Sequence, residues 1–239
     1  MKVDKLTTFM RKVLPLQYCT AVIVAAGNAS RMEGIDKVMA PLGGEPMIVR
    51  TVRTFQESQV IREIVIVTRE DQREEVSKLC RNFSKVASVV TGGADRRESV
   101  ESGIKAVSDK TKLVAIHDGA RPLVTQMVID RTVRAAHSYR AAVPVVPVKD
   151  TIKSVKGGLV DKTPDRDTLR AVQTPQVFDL DLLRAALQKT MDDGITITDD
   201  CSAVEYLKMG VKIVDGDERN LKVTTPLDLK IANMILEEM

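Results

Sequence analysis

The chain has 239 residues, 44% hydrophobic and 29% charged, with 36 Lys plus Arg against 33 Asp plus Glu and a net charge of +3. At roughly 100–200 residues per domain that is one large domain or one domain with an appendage, and the composition excludes a disordered or fibrous chain. Aromatics are only 3%, with no Trp, so base-stacking platforms are scarce; with so small a net charge, nucleic acid is not an expected partner.

Residues 1–18 read as an N-terminal extension, a short amphipathic helix or a partly ordered segment, and carry no assigned function. Lys2, Asp4, Lys5, Arg11 and Lys12 interrupt every apolar stretch there, leaving neither a signal-peptide core nor a membrane span. The three cysteines, Cys19, Cys80 and Cys201, are odd in number and lack C-x-x-C spacing, which points to a reducing cytoplasm.

Residues 19–239 read as a single domain. Short β-branched runs at 20–25, 63–68, 86–91, 113–117, 141–146 and 211–215 alternate with helical patterns near 46–58, 71–81, 97–107 and 125–138. That alternation predicts an α/β fold, a mostly parallel Rossmann-like sheet with helices on both faces, whose ligands sit beyond the carboxyl ends of the strands. Residues 148–176 break the rhythm: strand-like runs at 151–155 and 159–162 flank Lys156-Gly157-Gly158, a β-hairpin signal. An isolated hairpin is marginal in water, so this arm calls for a surface, and a second copy of the chain, giving a homodimer, is the natural one. The tail predicts a helix with Thr225 as N-cap and Pro226 in its first turn.

Several strand ends carry groups suited to a phosphate chain. After the first strand come Ala25, Ala26, Gly27, Arg31 and Lys37, then Gly43-Gly44; small residues let backbone N–H groups approach an anion, and the two cations add charge. A tight turn with two solvated basic residues would look the same. The segment is neither a Walker A loop nor a G-x-G-x-x-G fingerprint. Gly92-Gly93-Ala94-Asp95-Arg96-Arg97-Glu98-Ser99 opens a helix whose N-terminus suits an anion or a base edge. His117-Asp118-Gly119-Ala120-Arg121 puts a carboxylate and a guanidinium at one strand terminus, with His117 read as a strand-end histidine satisfied by its neighbours. Lys222 follows the last strand. Thr196, Thr198, Asp199 and Asp200 form a polar loop that serves equally as a helix cap.

Taken in order, AVIVAAGNASRM, the basic DKV with PLGG, TGGADRRESV, HDGARP, TPQVF, TDDCSAVE and NLKVTTPLDL resemble the 2-C-methyl-D-erythritol 4-phosphate cytidylyltransferase family from about residue 20 to the C-terminus. The opening AAG-x-x-x-RM is shared with other nucleotidyltransferases; the later motifs narrow the resemblance to cytidylyltransferases of small polyol phosphates, ribitol 5-phosphate being the close alternative acceptor. A nucleotide-binding protein without turnover is the alternative of a different class. The resemblance implies attack of a phosphate-monoester oxygen on the α-phosphorus of CTP, release of pyrophosphate, and Mg²⁺ held mainly by the CTP phosphates.

Carried over by motif, Arg31, Lys37 and Lys222 are the catalytic cations. Ala25, Ala26, Gly27, Gly93, Arg96, Ser99, Asp118 and Gly119 hold CTP. Asp118, Arg121, Arg166, Thr174 and Thr198 receive the polyol phosphate, Arg166 reaching from the arm into a neighbouring subunit's site. Departures from the family pattern are Asp36-Lys37-Val38 in place of Pro-Lys-Gln, Gly119 for the usual Ala, and Ala94 where an acidic residue is frequent.

Overall fold

The computed structural model describes residues 15–27 and 38–238. In chain order these form β1 (Cys19–Val24), β2 (Pro41–Leu42), β3 (Glu45–Pro46), α1 (Met47–Glu57), β4 (Glu63–Thr68), α2 (Arg73–Cys80), β5 (Val86–Thr91), α3 (Arg96–Lys105), β6 (Leu113–Asp118) and α4 (Gln126–Tyr139). There follow β7 (Ala141–Pro147), β8 (Ser154–Lys156), β9 (Leu159–Lys162), β10 (Arg170–Val172), β11 (Gln176–Asp179), α5 (Leu180–Asp192), α6 (Asp200–Tyr206), β12 (Lys212–Asp215) and α7 (Pro226–Glu237).

The central strands are apolar on both faces, as a sheet covered on both sides requires. In β1, Cys19, Ala21 and Ile23 face one core and Val22 the other; Ile64 and Ile66 of β4 oppose Val65 and Val67, and Leu113 and Ala115 of β6 oppose Val114 and Ile116. The first core is closed by α1, α2 and α4, the second by α3, α5 and α6. The sheet order is β5-β4-β1-β6-β11-β7, with β10 and β12 also paired to β7. Every pair is parallel except those made by β10 and β11. A mostly parallel α/β sheet is therefore the fold, as expected.

Helix ends follow their caps. Asp95 accepts from Glu98 N, Thr125 from Val128 N, and Thr225 forms a capping box with Asp228 ahead of Pro226. The arm is a β-hairpin whose first strand starts at Ser154 rather than 151, with Lys156 opposite Leu159 across Gly157-Gly158. Both glycines have φ near +60° to +80° (59° and 80°), the left-handed pair that a two-residue hairpin turn demands. A second Gly-Gly corrects an expectation. Gly43-Gly44 is the turn of the β2–β3 ribbon, held by Asn233 Oδ1 of α7 at 3.2 Å, and does not line the site described below. The strands β10 and β11, the β2–β3 ribbon and α5 lie outside the expected pattern.

Candidate active site

At the carboxyl edge the ladder runs one step beyond the strands: Ala25 N donates to Val67 O, Gly92 N to Thr68 O and Gly119 N to Val24 O, at 2.7 to 2.8 Å. The loops after β1, β5 and β6 therefore leave the sheet from one line and enclose a hollow of about 590 Å³. Ala25, Ala26, Gly27, Gly93, Arg96, Ser99, Asp118 and Lys222 line it, as does Ala120. Arg31 and Lys37 lie outside the described residues. Gly119 sits behind the wall. A Cβ there would stand 3.0 Å from the Ala25 Cβ and 3.3 Å from Val24 O, so the missing methyl lets the β1 and β6 loops approach closely.

Asp118, the last residue of β6, is the electrostatic centre. Lys222 Nζ lies 2.9 Å from its Oδ2, Arg96 Nη2 3.5 Å from Oδ1 and Arg121 Nε 3.7 Å from Oδ2. Burial pushes this carboxyl up, but Lys222, Arg96 and Arg121 together pull harder and hold it at about 2. The carboxylate is thus always charged near neutrality and organises three cations, of which Lys222 and Arg96 line a hollow edged by small residues and Arg121 does not. Such a site suits a substrate that is itself strongly anionic.

Beneath Asp118 the chain is tied by buried polar groups. Burial holds the His117 imidazole down at about 4, so the ring is neutral. Its Nε2 lies 3.2 Å from Arg121 O and must donate there, so Nδ1 accepts from Thr174 Oγ1 at 3.0 Å; that hydroxyl oxygen in turn accepts the Asp118 N–H at 3.1 Å. His117 is thus a satisfied strand-end histidine, as expected. Arg121 Nη1 donates to Asn220 O at 2.7 Å, and Asn220 Nδ2 donates to Thr174 O at 2.9 Å. Gln173 binds both sides of Asp217, donating to its carbonyl at 2.8 Å and accepting its N–H at 3.2 Å. These contacts join the root of the arm to the segment that carries Lys222.

The remaining expected residues are dispersed. Thr174 is buried under Asp118, with its one hydroxyl hydrogen directed to His117. Thr198 lines a different, open groove of about 630 Å³ between the arm's root and α6, with Thr168, Arg170 and Ser202. Arg166 is exposed on the arm, its Nη1 donating to Lys149 O at 3.0 Å, and lines neither hollow. Val38, Arg69, Glu70, Thr91 and Asp95 line the first hollow without having been singled out for it. Arg69 and Glu70 follow β4 at the same sheet edge, so strand order was the signal for them. The fully buried Asp200, whose Oδ2 accepts from Arg96 at 2.7 Å, offered only its polar-loop position. Among the described residues no group of three or more His, Cys, Asp or Glu side chains is placed to hold a metal ion, and no helix is long and apolar enough to cross a membrane.

The mostly parallel sheet, and a cation-rich hollow at its carboxyl edge, define a nucleotidyltransferase. A family model for 2-C-methyl-D-erythritol 4-phosphate cytidylyltransferase matches residues 19–238. The protein of that name from Caldanaerobacter subterraneus is 42% identical over 224 residues, covering 92% of this chain and 99% of that protein, and the one from Symbiobacterium thermophilum is 44% identical over 221 residues, covering 92% and 93%. Among solved structures, the 4-diphosphocytidyl-2C-methyl-D-erythritol synthase of Anaerococcus prevotii superposes with a TM-score of 0.84 at 30% identity, covering 92% of this chain and 96% of that one. The cytidylyltransferase of Thermus thermophilus gives 0.75 at 29% identity, covering 92% and 99%. The chain belongs to the 2-C-methyl-D-erythritol 4-phosphate cytidylyltransferase family.

Proposed function

We propose that this enzyme transfers CMP from CTP to 2-C-methyl-D-erythritol 4-phosphate, releasing pyrophosphate and forming 4-CDP-2-C-methyl-D-erythritol, in isoprenoid precursor synthesis. The observation that carries the reading is the hollow of about 590 Å³ at the carboxyl edge, where Lys222 and Arg96 converge on Asp118 beside a wall of Ala25, Ala26, Gly27 and Gly93. In-line displacement at phosphorus gathers negative charge on the equatorial oxygens and the leaving pyrophosphate, so the protein's part is positioning and cationic stabilisation, with no covalent nucleophile. Lys222 serves the transferring phosphate, Arg31 and Lys37 the triphosphate, and Gly93, Arg96 and Ser99 the cytidine side. Ala120 lines the same hollow, Gly119 packs behind its wall, and Arg121 braces Asp118. Thr198 and the arm's Arg166 serve the acceptor phosphate, whereas Thr174, whose hydroxyl is committed to His117 and the Asp118 N–H, holds the strand end beneath Asp118.

Asp118 already faces three cations, which suits a Mg²⁺ ion that arrives on the CTP phosphates and neutralises pyrophosphate charge. The free, buried thiols of Cys19, Cys80 and Cys201 fit a reducing cytoplasm, and the exposed arm fits a homodimer. The deciding experiment is pyrophosphate release from CTP and Mg²⁺ with methylerythritol phosphate, ribitol 5-phosphate and several sugar phosphates as acceptors. Methylerythritol phosphate should be turned over fastest, with ATP poor in place of CTP. Preference for ribitol 5-phosphate would move the acceptor assignment, and no release with any acceptor would overturn catalysis.

A further inference from the structure

Asp200 is a fully buried carboxylate at the first turn of α6, and its Oδ2 accepts Arg96 Nη1 at 2.7 Å from 104 positions away in sequence. Its other oxygen has no hydrogen-bond partner. The turn around it is fixed from two directions. Asp199 and Ser202 form a capping box, while Gln176 of β11 donates to Asp199 Oδ2 at 2.8 Å and accepts the Cys201 N–H at 3.1 Å.

Arg96 occupies the first turn of α3, where outward N–H groups and the helix dipole disfavour a cation. Helix formation therefore does not account for it, and a fixed counter-charge does. Its guanidinium is shared unequally: Nη1 has the short contact to Asp200, and Nη2 a longer one, 3.5 Å, to Asp118 Oδ1. Asp118 meanwhile keeps its close contact, 2.9 Å, for Lys222. Asp200 is not among the residues lining the hollow, whereas Arg96 is, so anything Asp200 does for a ligand passes through Arg96.

We propose that Asp200 is a positioning residue for the nucleotide: by gripping Nη1 of Arg96 it holds the guanidinium on the wall of the hollow and off Asp118, leaving that carboxylate to Lys222. This rests on the reading of the hollow as the CTP site. With the charge at 200 removed, Asp118 becomes the carboxylate nearest Arg96; the guanidinium closes on it, leaves the cytidine wall and competes with Lys222.

The test is a double-mutant cycle of Asp200→Asn and Arg96→Ala, read by calorimetric titration with CTP and Mg²⁺ and by kcat, with circular dichroism as the check on folding. Asp200→Asn should weaken CTP binding about 10-fold and Arg96→Ala at least as much, while the double variant should fall within about 2-fold of Arg96→Ala, because the second change acts only through the first. Losses that multiply in the double variant, or wild-type CTP affinity in folded Asp200→Asn, would overturn the inference. If Asp200→Asn does not fold, Arg96→Ala/Asp200→Ala, which removes both partners of the ion pair together, is compared with Arg96→Ala; equal CTP affinity supports the assignment and a further loss overturns it. Wild-type protein that does not bind CTP at all would sink the reading of the hollow, and this inference with it, and the wild-type titration alone reveals that.

Discussion

Lys222 is the cation closest to Asp118, and in the proposed reaction the pair marks where charge develops during transfer. Lys222→Ala should lower kcat by about 10²-fold with little change in the unfolding midpoint, since it removes a contact made best in the transition state. Arg31→Ala and Lys37→Ala should behave alike. An unchanged kcat with a raised KM for CTP would assign these cations to ground-state binding instead. A second consequence lies one residue back, at His117. Folded, it stays neutral down to about 4, whereas unfolded it takes its proton near 6.5. Between those values the unfolded chain binds the proton and the folded chain does not, so stability falls as pH drops through that window and is untouched above it. Asp118 adds to the loss further down: its folded value of about 2 lies below the ordinary carboxylate value of 3.8, so its contribution is present above 3.8 and vanishes as pH falls towards 2. The His117 share amounts to about 2 kcal/mol between pH 7 and pH 5. Urea unfolding of wild type and His117→Gln at the two pH values checks this: the wild type should lose that much more than the variant, and equal losses would refute it.

At the scale of elements the arm is the exposed feature. Val155, Leu159 and Val160 on β8 and β9 are 62%, 75% and 63% exposed, on a ribbon of two strands that is marginal without a partner surface. Replacing all three with Ser should leave the unfolding transition of the main sheet in place and shift sedimentation from dimer to monomer. A wild type that sediments as a monomer at micromolar concentration would remove the premise. How much of this was legible in the sequence differs by element. The strands β4 and β5 begin and end where their apolar runs do, and Thr225-Pro226 marks the start of α7, because local chemistry alone sets those boundaries. The β2–β3 ribbon has two residues per strand, too few for a period. β10 and β11 are strands only because β7 and β6 offer edges to them. α5 presents a regular buried face at Leu183, Ala186, Leu187 and Thr190, a signal present in the sequence that motifs do not mark. The site divides along the same line. Small residues and charges at strand ends were visible, but the contacts of Arg96 with Asp200 and of Asn220 with Thr174 join residues 104 and 46 apart, and nothing local predicts such partners.

On the scale of the whole molecule, the two hollows and the arm pose a question of geometry. Lys222, Asp118 and Arg96 share one hollow, and Thr198 lines the open groove near the arm's root. Arg166 lines neither, and within its own chain its guanidinium meets the backbone of Lys149. If Arg166 contacts the acceptor phosphate from the arm, an isologous dimer lets each arm serve the other subunit's site, since a two-fold axis exchanges both arms at once. A bidentate guanidinium–phosphate contact would then make turnover depend on assembly. Complementation distinguishes this from a purely structural arm. Arg166→Ala and Lys222→Ala homodimers should each be nearly inactive. In a heterodimer isolated through two different tags, action across the interface gives one site with both lesions and one with neither, so about half of the wild-type activity should return. If every site uses its own Arg166, both sites of that heterodimer carry a lesion and no activity returns; an Arg166→Ala homodimer with full activity and an unchanged KM for the acceptor would show that the arm only clasps its partner.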